Sequence, residues 1–257
     1  MSAETERLAK RLWSAKEEVK TCLPADDFLD SGDVETAYMV QTLLTERSRI
    51  SGREQIGWKV GLTSKAALQA FQTKEPMVGN IYADTLWENG ATVDAGDCIQ
   101  PLIEGELLFQ LAYVPDPNDS DEQLTASLAK IYAAFEIAEC RIEGWAKTIA
   151  PAIADNACCG HLVIGEGADP AGIDMTAIPM RLMADGEHIS NGSGAACLGN
   201  PLNVYRWLLE FAARTGRKLA AGDYILTGAM GPAQPMQAGT QYDLTLGGVG
   251  TARLITR

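Results

Sequence analysis

Two glutamates two positions apart, Glu104 and Glu106, open a stretch of residues, 103–114, that is typical of a β-strand. Residues two apart in a strand point to the same face, so both carboxylates share one face, while Leu107 and Phe109 begin an apolar face. Adjacent like charges repel each other, and a hard divalent cation such as Mg²⁺ or Mn²⁺ offsets that repulsion. The spacing is compatible with a metal site, although a solvated edge strand is the more common meaning of this pattern.

A third carboxylate would favour the metal site, and the sequence offers two candidates, Glu136 and Glu139. Glu136 lies within an apolar run, where an unpaired carboxylate is costly. Glu139 could instead pair with Arg141 or face solvent. Spacing alone leaves both candidates open.

Lys59 is the candidate catalytic base or acid. It lies between Trp58 and Val60 in a short apolar strand that is flanked by Gly57 and Gly61. A partly desolvated lysine there could transfer a proton or stabilise the charge of an enolate. The alternative is a strand lysine whose amino group reaches solvent.

Two further segments are candidate substrate-binding positions. Asp155 follows the turn-prone Pro151 and either caps a turn or serves a site. Thr227 and Gly228 end an apolar run and could present a hydroxyl and a backbone N–H to a ligand, or form a plain strand end.

Composition excludes several classes of function. The net charge of −13 disfavours nucleic-acid binding, and no apolar run is long enough for a membrane span. With only two histidines, His161 and His188, a multi-histidine zinc site is excluded, and no nucleophile elbow, dinucleotide fingerprint or P-loop occurs. No signal peptide is apparent and no cysteine pair has C-x-x-C spacing, so we expect a cytoplasmic protein.

The elements predict an α+β fold in which a helical N-terminal arm, residues 1–54, precedes a strand-rich core, residues 55–257. Apolar periodicity predicts helices over 2–20 and about 34–47, joined by a polar turn over 24–33. In the core we expect strands over 56–62, 103–114 and 135–142 and helices over 124–134 and 202–214.

Five ordered segments resemble the hydratase/decarboxylase branch of the fumarylacetoacetate hydrolase superfamily. They are Ile56–Thr63, Pro101–Glu106, Ala154–Ala157, Cys197–Leu202 and Gly222–Ala229. The resemblance implies a mixed β-roll core, a Mg²⁺- or Mn²⁺-dependent site, a role in aromatic compound catabolism and assembly into homo-oligomers. By position it assigns Glu104, Glu106 and Glu136 as metal ligands and Lys59 as the site lysine.

The function that this resemblance implies is metal-dependent hydration of a small 2-hydroxydienoic (2-oxo-enoic) acid. Many hydratases of the family carry an aspartate that handles protons, and the matching position here is Met77. Asp84, nearby in the sequence, is our candidate substitute. A metal-dependent 2-oxo acid decarboxylase is the alternative, a C–C bond hydrolase is weaker, and a non-catalytic ligand-binding relative also remains open.

Overall fold

The computed structural model describes residues 2–22, 29–30 and 32–257. Part of the predicted turn over 24–33 therefore lies outside the described residues. The helices are α1 Ala3–Glu17, α2 Val34–Ile50, α3 Lys65–Ala70, α4 Asp121–Ala126, α5 Ile149–Ala154 and α6 Pro201–Thr215. The strands are β1 Gln55–Gly61, β2 Met77–Tyr82, β3 Leu86–Trp87, β4 Thr92–Val93, β5 Leu102–Leu111, β6 Leu128–Ala138, β7 Cys159–Ala168, β8 Pro179–Ala184, β9 Glu187–Ser193, β10 Tyr224–Ala229, β11 Gln234–Pro235, β12 Gln241–Leu246 and β13 Gly250–Thr256.

Two sheets form the core. The larger has the order β2-β1-β10-β5-β6-β7-β3, with β11 also paired to β5, and the smaller has the order β4-β13-β12-β8-β9. Most neighbours are antiparallel, but β1 runs parallel to β10. The sequence prediction of a helical arm on a strand-rich mixed core agrees with this architecture.

Residues of β5 that alternate along the strand divide between two environments. Leu107 and Phe109 join the main core between the two sheets and helix α6, whereas Leu108 packs in a smaller cluster on the opposite face. Gly105 allows a close approach on the first face, where a Cβ would lie 2.6 Å from Cδ1 of Leu244 in the smaller sheet. The larger sheet is thus buried on both faces, and Glu104 and Glu106 lie on the Leu108 side.

Helices α1 and α2 pack against the core through their own apolar cluster. Leu8, Leu12 and Val40 contribute to it from the arm, and Ile153 contributes from helix α5. Gln41, which is buried, donates from Nε2 to the carbonyl oxygens of Val78 and Ile153 at 2.7 and 3.0 Å. The arm is therefore joined to the core by both apolar and polar contacts.

Helix ends follow local sequence signals. Asp33 caps α2 by accepting a hydrogen bond from the N–H of Thr36, and Asn200 and Pro201 start α6, which ends at Gly216 with φ of 72°. Among the described residues, no helix is long and apolar enough to cross a bilayer.

The predicted helix over 124–134 is wrong for most of its length. Helix α4 ends at Ala126, and β6 begins at Leu128 and runs the full length of β5 as its antiparallel partner. Leu124, Leu128 and Ile131 mimic helical spacing, but pairing with β5 determines the conformation. Of the expected strand over 135–142, residues 135–138 form the end of β6, and residues 139–142 lie beyond it.

Candidate active site

Strand pairing brings the three predicted glutamates together. Glu104 on β5 lies directly opposite Glu136 on β6, and Glu106 lies two residues further along the same face of β5. On the other side of β5, the register with β10 shifts between Leu226 and Ala229. Within that irregularity, the N–H of Gly228 donates to Oε2 of Glu106 at 2.8 Å and so orients this carboxylate.

The glutamate cluster is largely buried, with Glu104 partly exposed, and it is poorly satisfied. One carboxylate oxygen from each of Glu104, Glu106 and Glu136 lies within 4.8 Å of the others. Glu106 and Glu136 are fully buried, and Oε1 of Glu106 and both oxygens of Glu136 have no hydrogen-bond partner. Burial and then the charge of Glu136 raise the pKa of Glu104 to about 7. Burial and the two neighbouring carboxylates raise the pKa of Glu106 well above its usual value.

Lys59 contacts the cluster from β1, which lies between β2 and β10. Its Nζ forms an ion pair with Oε1 of Glu136 at 2.6 Å, but the geometry of this contact is not that of a hydrogen bond. Nζ also donates a hydrogen bond to the carbonyl oxygen of Ala157 at 3.0 Å. Burial lowers the pKa of Lys59, but the charges of Glu136 and Glu104 outweigh burial and raise it above its usual value. The carboxylates around Lys59 therefore favour its protonated form.

Glu104, Glu106 and Lys59 line a cavity of about 260 Å³, which we call the glutamate pocket. Its other walls are mainly apolar or small, and they include Leu62, Thr63, Ser64, Ala67, Phe71, Met77, Leu102, Trp145, Ala157, Cys158 and Gly228. Lys59 is the one cationic side chain among the described residues of this lining. The pocket thus combines a carboxylate cluster at one end with an apolar chamber.

The donor set fits a hard divalent cation. Three ionised carboxylates and one ammonium leave two negative charges. Oε1 of Glu106 and Oε2 of Glu136 have no partner and are free to coordinate, whereas Oε1 of Glu136 faces Lys59. Two other groups of three metal-ligating side chains occur in the described part of the chain, but their carboxylates are already engaged. Glu139 pairs with His161 at 2.6 Å, and Asp155 pairs with Arg141 at 2.5 Å.

Asp84 does not reach the glutamate pocket, which corrects our prediction that it substitutes for the missing aspartate. Its carboxylate accepts hydrogen bonds from Nε and Nη2 of Arg53 at 2.6 and 2.8 Å, and its side chain is half exposed. Met77 does line the pocket, opposite Gly61 on the neighbouring strand. The side chain at this position of the pocket is therefore apolar.

Replacing Asp84 by Asn is expected to leave turnover within about twofold of the unmodified protein, because its carboxylate lies outside the glutamate pocket and contacts Arg53 instead. Steady-state rates of the two proteins under matched metal and substrate concentrations measure this. A loss of more than about tenfold, or ~1.4 kcal/mol of transition-state stabilisation, would show that Asp84 takes part in catalysis.

The other predicted substrate-binding groups are occupied by structural contacts, which corrects those assignments. Asp155 is buried and accepts hydrogen bonds from Nε and the backbone N–H of Arg141. Thr227 donates from Oγ1 to the carbonyl oxygen of Leu107 at 2.9 Å and does not line the glutamate pocket. Gly228 does line it, but its N–H is bonded to Glu106, so it positions a carboxylate and leaves no donor for a ligand.

Several pocket residues were not predicted. Thr63 ends the first family-like segment and could have been found there. Phe71 follows the short helix α3. Trp145, whose φ is 69°, follows Gly144. Neither residue lies in a recognisable motif. Only the folded chain brings these two aromatic side chains to the same cavity.

Comparison with known proteins places the chain in a family. The family model for the fumarylacetoacetate (FAA) hydrolase C-terminal region matches residues 59–254, which include Lys59 and all three glutamates. The chain belongs to the fumarylacetoacetate hydrolase family. The family and the fold class that the sequence predicted are thereby confirmed.

Curated relatives of this family member align over nearly the whole chain. The 2-keto-4-pentenoate hydratase 1 of Dechloromonas aromatica is 35% identical over 96% of this chain and 94% of its own. The 2-keto-4-pentenoate hydratase of Paraburkholderia xenovorans is 33% identical over 97% and 94%. The 2-hydroxyhexa-2,4-dienoate hydratase of Comamonas testosteroni is 32% identical over 97% and 96%.

Among solved structures, a similar one is 4-oxalocrotonate decarboxylase from Pseudomonas putida G7 complexed with magnesium and adipate. It superposes with a TM-score of 0.93 at 25% identity and covers 100% of this chain and 99% of that chain. The same architecture, arm included, is therefore present in both proteins.

Proposed function

We propose that this member of the fumarylacetoacetate hydrolase family is a metal-dependent hydratase of a small 2-hydroxydienoic acid such as 2-hydroxypenta-2,4-dienoate. The names of the curated relatives support this activity. The observation that carries it is the glutamate pocket, in which a buried carboxylate cluster faces an apolar chamber with a single cation, Lys59.

Glu104, Glu106 and Glu136 would hold the divalent cation, Mg²⁺ or Mn²⁺. When bound, the ion supplies Lewis acidity to the carboxylate and 2-oxo oxygens of the substrate. Glu106 is held in place by the N–H of Gly228, and Glu136 is held by its register opposite Glu104. The protein therefore orients its ligands through backbone pairing before substrate arrives.

Lys59 holds a proton next to the place where the 2-oxygen of the substrate would lie. Hydration needs the 2-hydroxydienoate to lose the proton of its 2-hydroxyl and gain a proton at C5, which gives the conjugated 2-oxo-3-enoate. Water then adds its hydroxyl to C4 and a proton to C3. Negative charge develops on the 2-oxygen in both steps. A fixed ammonium in a buried site stabilises that charge without reorganising.

The apolar chamber favours an uncharged substrate tail. Phe71, Met77, Trp145 and Leu62 line it, and Lys59 is already engaged by Glu136 and by Ala157 O. A second carboxylate on the substrate would find no free cation in the described lining and would lose its hydration. This argues for a hydratase of monocarboxylates over a decarboxylase of dicarboxylates such as 4-oxalocrotonate.

Incubation with Mg²⁺ and a panel of 2-hydroxydienoates, followed by NMR, tests the activity. We expect the hydrated product without release of CO₂, and a kcat/KM for 2-hydroxypenta-2,4-dienoate about 100-fold above that for 4-oxalocrotonate, since an unpaired buried carboxylate costs ~3 kcal/mol. Release of CO₂ would instead identify a decarboxylase. Binding without turnover across the panel would identify a non-catalytic relative.

The family resemblance also supports a homo-oligomer and a division into the arm, residues 1–54, and the catalytic core, residues 55–257. Both remain predictions. Sedimentation velocity of the full chain measures the first, and expression of residues 55–257 alone tests whether the core folds without the arm.

A further inference from the structure

A second cavity lies between the helical arm and the larger sheet, and we call it the arm cavity. Helix α1 contributes Leu12 and Lys16 to its lining, helix α2 contributes Ser48, and Arg53 and Arg141 complete its basic side. Its volume is about 40 Å³, a few times the ~10–15 Å³ that one buried water requires. The arm cavity therefore admits only a ligand of a few heavy atoms.

The charges around the arm cavity do not balance. Arg53 is paired with Asp84, and Arg141 is paired with Asp155. Lys16 has no carboxylate within ion-pair distance in the part of the chain that the structure describes. Lys16 thus has no ion pair of its own among the described residues: its Nζ lies 5.8 Å from the centre of the Tyr82 ring, and Asp84, which Arg53 already engages, attracts it only at longer range.

Hydrogen-bond donors with only long, weak bonds accompany this charge. Nη1 of Arg53 has only a long contact, 3.5 Å, with Oγ of Ser48, and Nη1 of Arg141 lies 3.4 Å from the carbonyl oxygen of Cys159. Burial, together with the charges of Arg53 and Arg141, lowers the pKa of Lys16 to about 8. An anion beside Lys16 would satisfy these donors and offset the cost of burying the ammonium.

A strained turn joins the arm cavity to the glutamate pocket. Asn156, Ala157 and Cys158 have φ values of 55°, 54° and 55°, a left-handed conformation that only glycine adopts without steric cost. Asn156 lines the arm cavity, whereas Ala157 and Cys158 line the glutamate pocket. The carbonyl oxygen of Ala157 accepts the hydrogen bond from Lys59.

We propose that the arm cavity binds a small carboxylate monoanion beside Lys16 and that the bound anion fixes the turn through which Ala157 holds Lys59. A single negative charge balances the one unpaired cation, and a carboxylate accepts hydrogen bonds from ammonium and guanidinium groups. Leu12, Trp13 and Leu44 give the cavity an apolar wall that accepts a short alkyl group. A phosphate dianion would leave an excess negative charge in this buried place.

Calorimetric titration of the metal-free protein with acetate tests binding, because chelator suppresses carboxylate binding at the metal site. We expect saturable binding at about millimolar concentration, ~4 kcal/mol, that is weakened about tenfold or more by Lys16→Met or Lys16→Gln. The matched control is Lys10→Met, which removes an exposed lysine from the same helix and should bind acetate like the unmodified protein. Lys16→Arg keeps the charge and should retain binding.

Equal acetate affinity in Lys16→Met and the unmodified protein would overturn the binding site. Tighter binding of inorganic phosphate than of acetate at the same ionic strength would overturn the carboxylate class. Circular dichroism of each variant separates loss of binding from loss of fold, and Lys16→Gln provides a second reading if Lys16→Met does not fold.

The coupling to Lys59 rests on the proposed hydratase activity, whereas binding does not. With metal restored and substrate saturating, acetate should change kcat of the unmodified protein and leave kcat of Lys16→Met unchanged. Acetate that competes at the metal site raises KM alone, so kcat distinguishes the two sites. An unchanged kcat in the unmodified protein, with binding intact, would overturn the coupling while leaving the proposed function standing.

Discussion

Replacing Glu106 by Gln is expected to abolish metal-dependent turnover, with a loss of about 10³-fold or more, since the metal supplies several kcal/mol of transition-state stabilisation. The amide oxygen can still accept the hydrogen bond from Gly228, so the fold should remain intact. Removing one of three crowded carboxylates relieves repulsion, and the metal-free variant should melt at or above the temperature of the metal-free unmodified protein.

Thermal unfolding with and without Mn²⁺ separates these effects. A ligand that binds only the folded state stabilises it by ~2.7 kcal/mol at a hundred times its dissociation constant, and Glu106→Gln should lose most of this shift. Glu139→Gln is the matched control, because Glu139 is also a buried glutamate near the end of β6 but pairs with His161 outside the glutamate pocket. Retained turnover in Glu106→Gln, or its loss in Glu139→Gln alone, would contradict the assignment.

Replacing Lys59 by Met is expected to lower kcat about 100-fold or more, the usual size of the loss when a fixed charge-stabilising donor is removed from an active site. Metal affinity should stay the same or increase, because Lys59 is a cation that competes for Glu136. The metal-free variant should be less stable, since Glu136 loses its only ion-pair partner among the described residues, and Mn²⁺ should restore that stability.

The measurements are stopped-flow rates and calorimetric Mn²⁺ titrations of the same preparations. Lys74→Met, which removes an exposed lysine, controls for the change of net charge and should behave like the unmodified protein. A normal kcat in Lys59→Met would show that Lys59 has no role in catalysis. A lowered kcat that is fully explained by weaker Mn²⁺ binding would show that Lys59 has only a structural role.

The sequence predicted those parts of the site that depend on local geometry. Strand alternation placed Glu104 and Glu106 on one face of β5, and Gly105 indeed allows the close approach of Leu244 on the other. The choice of Glu136 over Glu139 required the family resemblance, because the spacing of residues along β6 does not determine its register with β5. The structure places Glu136 opposite Glu104 and turns Glu139 toward His161.

Predictions based on local sequence context alone were less successful. Asp84 was chosen because it lies near Met77 in the sequence, Asp155 because it follows a turn, and Thr227 because it ends an apolar run. Each is engaged in an ion pair or hydrogen bond with a distant segment. The aromatic residues Phe71 and Trp145 reach the pocket only through tertiary packing. Burial and pairing between distant segments therefore decide which polar residues remain available for chemistry.

The hydratase prediction agrees with the activities for which the curated relatives are named. The apolar chamber supplies a physical reason for it that the sequence alone did not, since Met77 and Trp145 leave no charged partner for a second substrate carboxylate in the described lining. With an apolar side chain at Met77, Lys59 is the cationic proton donor of the described pocket lining.

Anomalous diffraction from crystals grown with Mn²⁺ tests the central claim most directly. We expect one strong peak in the glutamate pocket, within about 2.0–2.3 Å of carboxylate oxygens of Glu104, Glu106 and Glu136, the range of hard divalent cation–oxygen bonds. A peak at Cys98, Glu139 and His161 instead, or no ordered Mn²⁺ near the three glutamates at saturating concentration, would contradict the account.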